Sequence, residues 1–321
     1  MTLELKHIDK QTYTNFCQGM GGVFTSVSWM NIFSENLVFC GIFDNNTRIV
    51  AVFYYYSTKL TGIPYLHSLP FTPYNGFVSK PNSKNFASHQ GEMKRIMGVI
   101  ASYFDKHSSK SIIKIAFPPE CIDMQAFIWQ KFKVIPNYTY RISLSQTMEE
   151  ISAKMTTERR NDIKKAIKDG VTVEKCTDHN IVKGLVEKTF GRKSMSVNQH
   201  FLQKVLFEYA NVDNTFAFVS YLNGDPIACV FCIFDHHAAY YLLGGYDNKK
   251  KHGGAGALAL WNAIQHSKSL NLDTFDFEGS MIVPIEKYFR GFGGDITPYY
   301  VINKANLILE MGLKFVKREF F

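Results

Sequence analysis

Apolar residues return at helical spacing in two places 160 residues apart. Met97, Ile100 and Phe104 form one stripe, and Ala257, Leu260 and Ile264 form another 160 residues later. The spacing predicts two amphipathic helices, each burying one face. A short apolar run follows each, SIIKIAF over 111–117 and NLDTFDF over 271–277, with Phe117 and Phe277 coincident. Both runs read as strands. The coincidences continue downstream, Trp129 with Phe289, Phe132 with Phe292, Tyr140 with Tyr300 and Ile142 with Ile302. Upstream, each copy has two alternating runs joined by turn residues. These are NLVFCGIFDNNTRIVAVFYYY, turning at 44–46, and TFAFVSYLNGDPIACVFCIF, turning at 223–225. Asn, Asp and Gly tolerate the positive φ that tight hairpins need.

Each copy therefore reads as helices, antiparallel strands, a central helix, a strand, a short helix and a last strand. That order predicts a mixed α/β fold with mainly antiparallel central sheets flanked by helices. A repeat this long indicates a duplicated domain, because its period far exceeds that of a solenoid. The expected domains are residues 1–146 and 147–321. Thr147-x-x-Glu150 is a capping box opening a short helix. A basic helix follows, TTERRNDIKKAIKDG, closed by Gly170. Its Arg159 and Arg160 read either as a solvated face or as a substrate-binding edge. The first copy also carries a Pro/Gly-marked insertion, SLPFTPYNGFVS at 68–79.

Bulk properties narrow the class. No apolar run is long enough to span a bilayer, and the charged N-terminal stretch lacks the core of a signal peptide. Six scattered cysteines in apolar surroundings read as reduced thiols. In IACVFCIF, strand alternation sends Cys229 and Cys232 to opposite faces, which argues against a metal or redox pair. The expectation is a cytoplasmic protein without a metal site. A net charge of +8 favours anionic partners. The excess lies mostly in residues 1–146, so an anion site in the second copy has to be local.

Differences between the copies point to chemistry. Gly253, Gly254 and Gly256 stand where the first copy has Met93, Lys94 and Ile96. Only the second copy has a bare backbone ahead of its helix, with no Ser, Thr, Asp or Asn to cap it. Such a helix start can receive an anion on its first amides. The glycines could equally serve close packing of the helix on the sheet. After the strand, DFEGS replaces AFPPE. Asp276 and Glu278, two apart, would share a strand face and could supply a general base. Glu278 could instead cap the next helix or pair with Arg290. Tyr241 and Tyr246 lie on or just after the preceding strand, where a hydroxyl could act as acid or orient a carbonyl.

These residues resemble a family. KHGGAG at 251–256 is similar to the [Arg/Gln]-x-x-Gly-x-Gly/Ala loop of the GNAT acyltransferases, with Lys in the first place. The block over 240–300 resembles the FemAB-like tandem-GNAT proteins, which include peptidoglycan-bridge aminoacyltransferases. RRNDIKKAIKDGVTVE resembles the segment opening their second domain, and GVFTSVSWMNIF and LPFTPYNGF resemble their first. The resemblance implies two tandem GNAT-like domains with the donor site on the second. Lys251, Gly253, Gly254, Ala255 and Gly256 would hold the pyrophosphate of acyl-CoA, such as acetyl-CoA. A splay between two strands would admit the pantetheine arm. The expected activity is N-acyl transfer to a small-molecule or nucleotide-linked amine. Glu278, Tyr246 and Asp276 would be the catalytic set, and Arg159, Arg160, Tyr241 and Arg290 would bind substrate. Two alternatives stay open: an aminoacyl-tRNA-dependent transferase acting on a peptidoglycan precursor, and a non-catalytic GNAT pair that binds a ligand. No DNA partner and no membrane span are expected.

Overall fold

A computed structural model of the 321-residue chain describes residues 2–45, 47–83, 85–192, 198–250, 252–279 and 281–316. It divides into two compact units, Met1–Asn137 with Pro298–Phe321, and Tyr138–Thr297.

In the first unit, strands β1 (Leu3–His7), β2 (Leu37–Asp44), β3 (Arg48–Leu60) and β4 (Ile63–His67) pair antiparallel in that order. A two-residue strand, β5 (Val78–Ser79), pairs with β3. β6 (Ile112–Phe117) joins parallel to β4. Helices α1 (Lys10–Cys17) and α2 (Val27–Asn31) precede the hairpin strands. The long helix α3 (Phe86–Ser108) buries Ile96, Met97, Ile100 and Phe104 in the core, and α4 (Gln125–Trp129) follows β6.

The second unit repeats this plan. Strand β7 (Lys133–Ser143) leads to helices α5 (Met148–Lys154) and α6 (Thr157–Lys168) and a short strand β8 (Thr172–Lys175). Helices α7 (His179–Arg192) and α8 (Gln199–Lys204) follow. Then β9 (Thr215–Leu222), β10 (Asp225–Phe234) and β11 (Ala238–Tyr246) make an antiparallel sheet with β8. Helix α9 (Ala255–Ser269) crosses to β12 (Thr274–Asp276), which lies parallel to β11. Helix α10 (Val283–Arg290) and strand β13 (Asp295–Lys304) complete the repeat, and α11 (Leu307–Val316) ends the described chain.

The predicted local signals are all present. Thr147 and Glu150 form the capping box, Asn223 and Gly224 take φ of 53° and 81° at the second hairpin, and Gly170 ends α6 with φ 80°. Asn46 of the first hairpin turn lies outside the described residues. Ala257, Leu260 and Ile264 are fully buried in the second core.

The two units end their sheets in a way the duplication does not suggest. β6 pairs with residues 300–304 of β13, and β12 pairs with residues 141–143 of β7. The last strand of each repeat thus completes the sheet holding the other repeat's β6 or β12. The expected boundary at 146/147 assigns 138–146 and 298–321 differently from the compact units. Backbone ladder bonds are the same whichever copy supplies the strand, so local pattern cannot decide between them.

Among the described residues no helix is long and apolar enough to cross a membrane. Cys232 packs in the core beneath α9, while the Cys229 thiol donates to the Val182 carbonyl of α7, so the two do point apart.

Candidate active site

The second unit's sheet opens on one side. β11 pairs with β12 only over Ala238–Tyr240 against Thr274–Asp276. There β12 stops, and β11 continues to Tyr246 without that neighbour. The β10–β11 register shifts as well: Phe231 faces Leu243 and Cys232 faces Tyr241, which leaves Leu242 as a bulge residue. A bulge bends its strand and adds twist. The result is a cleft of about 720 Å³, walled by β11 from Tyr241 to Tyr246, by Gly253 and Gly256 at the start of α9, and by Ile282, Ile285, Tyr288 and Phe289 of α10.

The glycines divide by role. Gly253 and Gly256 line the cleft. A Cβ on Gly253 would meet nothing within 4 Å, and one on Gly256 only the Tyr288 hydroxyl at 3.4 Å. Gly254 faces away: a Cβ there would sit 2.0 Å from the Asp162 carbonyl oxygen of α6. It is the packing glycine, letting α6 and α9 approach. Ala255 is buried, and its carbonyl accepts from Ser220 Oγ at 2.8 Å. Lys251 lies outside the described residues. Lys250 is paired with Asp225 at 2.7 Å.

The first turn of α9 carries no side-chain cap, as expected, but the loop ahead of it is held by His252. His252 Nδ1 accepts from the Gly254 amide at 3.2 Å, and its Nε2 meets Asp169 Oδ2 at 3.1 Å. With Nδ1 accepting, Nε2–H donates to Asp169, which fixes both tautomer and ring. The Ala255 amide bonds to the His252 carbonyl at 3.3 Å. The amides of Gly256 and Ala257 are left without an acceptor among the described residues, at the positive end of the helix dipole. His252 was missed because imidazole is not among the usual caps; its place two residues before Gly254 was the available signal.

The two carboxylates separate. Asp276 is fully buried and accepts from Thr139 Oγ1 at 2.5 Å, Arg141 Nε at 2.7 Å and the Glu278 amide at 2.8 Å. It does not line the cleft. Glu278 does. Alternation fails because β12 ends at Asp276 and Glu278 takes φ 55°, a left-handed conformation followed by Gly279 at φ 73°. Glu278 Oε1 has neither exposed surface nor a hydrogen-bond partner in the described residues. Burial, and secondarily the charge of Asp276, push its carboxyl well above the usual carboxylate range. It neither caps α10 nor pairs with Arg290.

Among the tyrosines, Tyr241 and Tyr246 line the cleft together with Tyr288. The Tyr241 hydroxyl occupies the space a Cβ on Gly244 would need, at 1.8 Å, so Gly244 makes room for it. Burial raises its pKa, reinforced by Tyr288. Tyr246 is held by its backbone, its amide donating to Thr189 Oγ1 at 2.8 Å. A Cβ on Gly245 would collide with the α7 backbone at Leu185, so this strand end lies tight against α7.

The three arginines lie elsewhere. Arg159 is buried, paired with Asp162 at 2.7 Å and stacked on Tyr288 at 4.3 Å. Arg160 donates to the carbonyls of Ser152, Ala153 and Met155 at the end of α5. Arg290 pairs with Glu286 at 2.8 Å, whose Oε1 also accepts from the Tyr140 hydroxyl. The structure thus gathers Glu278, Tyr241, Tyr246, Gly253 and Gly256, and leaves Asp276, Gly254, Ala255, Arg159, Arg160 and Arg290 outside the cleft lining. No group of three or more His, Cys, Asp or Glu among the described residues is placed to hold a metal.

The first unit shows what the loop replaces. α3 begins at Phe86, so helix runs through the positions matching the glycines. Glu92, in register with His252, is buried and accepts from the amides of Asn82 and Ser83 at 2.9–3.1 Å. Here a carboxylate of the helix itself holds the preceding loop, while Asn85 caps the helix at the Ser88 amide.

Residues 157–290 match the acetyltransferase (GNAT) domain model. That segment of the chain is thus similar to GNAT acetyltransferase domains. Solved structures match over most of the chain. FemX matches with TM-score 0.65 and 13% identity, over 97% of this chain and 100% of that one. L-PGS from Bacillus licheniformis matches at 0.58 and 12%, over 98% of each. A tandem GNAT protein from the clavulanic acid biosynthesis pathway matches at 0.54 and 8%, over 94% of this chain and 98% of that one. At such identities the likeness is one of fold. No curated protein matches the chain significantly. The splayed strands, the glycine loop and Glu278 all lie inside the matched segment.

Proposed function

We propose that this GNAT protein is an N-acyltransferase that takes an acyl group from acyl-CoA and delivers it to an amine. The observation that carries the reading is Glu278: a buried carboxyl oxygen with no partner among the described residues, held in a left-handed backbone at the foot of an apolar cleft. An unpartnered buried oxygen costs stability, and such strain collects at working sites.

The cleft's residues fit such a donor. Gly253 and Gly256 leave backbone open, and the Gly256 and Ala257 amides with the α9 dipole would receive phosphate. The apolar walls of β11 and α10 would take the pantetheine arm and exclude water. Glu278 would accept the proton from the acceptor's ammonium, producing the nucleophilic amine. As the new C–N bond forms, the edge of β11 past Tyr240, with the Tyr241 hydroxyl, would donate to the developing oxyanion. When the C–S bond breaks, Tyr246 would protonate the departing thiolate. Asp276 would position Glu278 by holding its amide. Arg159, Arg160 and Arg290 are engaged by their own partners in the chain, and this reading gives them a framework role.

Adding CoA or acetyl-CoA at 100 times Kd should stabilise the protein by about 2.7 kcal/mol, seen as a rise in melting temperature. No shift with either, together with tRNA binding that weakens steeply with salt, would replace this reading with aminoacyl-tRNA-dependent transfer. No response to either, with Glu278→Gln silent, would leave a non-catalytic ligand binder.

A further inference from the structure

Helix α11 has two apolar faces. Leu309 and Leu313 pack on Ile63, Tyr65 and Ile112 of the first unit. On the opposite side Leu307, Ile308, Met311 and Phe315 form a stripe that is exposed, at 72%, 78%, 50% and 92%. A contiguous exposed apolar stripe marks a surface that meets another body. The β3–β4 hairpin tip beside it adds an exposed Leu60.

The surrounding charge tells what kind of partner fits. Lys59 precedes Leu60 on the hairpin, Lys314 flanks the stripe, and Lys110 follows Ser109, whose carbonyl accepts from Asn306 at the start of α11. All three lysines are exposed. Of the nearby acids, Asp105 pairs with Lys304 at 2.5 Å, and Glu310, which accepts from the Ala305 amide at 3.0 Å, keeps its charge but stands against three lysines. A second copy laid on this face would bring like charges together. A surface that is both anionic and apolar satisfies stripe and lysines at once.

We infer that α11 and the β3–β4 tip dock this protein on an anionic phospholipid bilayer. Leu307, Ile308, Met311 and Phe315 would sit at the headgroup–acyl boundary, with Lys59, Lys110 and Lys314 against the lipid phosphates. The helix lies on the bilayer and does not cross it.

The test is co-sedimentation of the full chain with vesicles of phosphatidylcholine alone or with 30% phosphatidylglycerol. The expected result is binding to the anionic vesicles only, weakened about fivefold by Lys314→Gln. Ile308→Gln with Phe315→Gln should lower it at least tenfold while melting temperature stays unchanged, since both side chains are exposed. Absence of binding to the anionic vesicles by the unaltered chain would overturn the inference. So would a concentration-dependent dimer in sedimentation velocity that the same double variant abolishes. Donor binding at the cleft is read separately, so either proposal can fail alone.

Discussion

Glu278→Gln lowers the rate of acyl transfer by about 10²–10⁴ at neutral pH, with donor binding nearly unchanged. The amide keeps the size of the carboxyl and can sit in the same left-handed backbone, so the loss is one of proton acceptance. The pH profile separates this from a packing defect. The Glu278 carboxyl is held well above the usual carboxylate range by burial and by Asp276. The base has to be ionised to work, so the wild-type rate should climb with pH on a limb displaced upward from about 4.5, and the Gln variant should lack that limb. Stability runs the opposite way. Between 4.5 and the raised folded-state value the native chain holds the proton more tightly than the unfolded chain. The stability tied to this group is therefore full in acid and lost as pH rises through the folded-state pKa. Glu278→Gln should melt with the wild type near pH 4 and above it near pH 9. A variant that loses activity with the same pH profile as the wild type would remove Glu278 from proton transfer.

Arg141→Met should destabilise the second unit by about 3–5 kcal/mol. Asp276 is fully buried, and Arg141 Nε, 2.7 Å away, is its charged partner. Thr139 Oγ1 and the Glu278 amide, both bound to Oδ1, are neutral donors that do not replace the guanidinium's charge. For a unit of this size that corresponds to a fall in melting temperature of roughly 6–20 °C. The double variant Arg141→Met with Asp276→Asn should recover part of the loss, because the amide still serves both remaining donors and carries no charge. A double variant no better than the single one would show that Arg141 acts through packing. Transfer activity in any folded fraction should fall too, since Asp276 holds the Glu278 amide.

Much of the fold was legible because its signals are local. Asn223–Gly224, the Thr147–Glu150 box and the stripe of Ala257, Leu260 and Ile264 each specify their element within a few residues. The duplication multiplied them, and comparing copies singled out the glycine loop. What stayed hidden depends on contacts distant in sequence. Which copy completes each sheet is a pairing of β6 with β13 and of β12 with β7. Gly254 looked like an open cradle residue, yet its bareness serves the Asp162 carbonyl of α6. Asp276 and Glu278 appeared to share a face because nothing nearby announces that β12 ends between them. The His252–Asp169 contact joins residues 83 apart and fixes the loop ahead of α9, which the local pattern does not announce.

The central claim, that the cleft beside Gly256 receives the acyl donor, is tested most directly by isothermal titration of acetyl-CoA into the wild type and into Gly256→Trp. Gly256 lines the cleft, and a Cβ there would meet only the Tyr288 hydroxyl, at 3.4 Å, so a bulky side chain at this position should take up donor space. The account predicts saturable one-site binding to the wild type and a loss of at least a hundredfold in the variant, with melting temperature retained. Equal binding by both proteins, or none by the wild type, would contradict it.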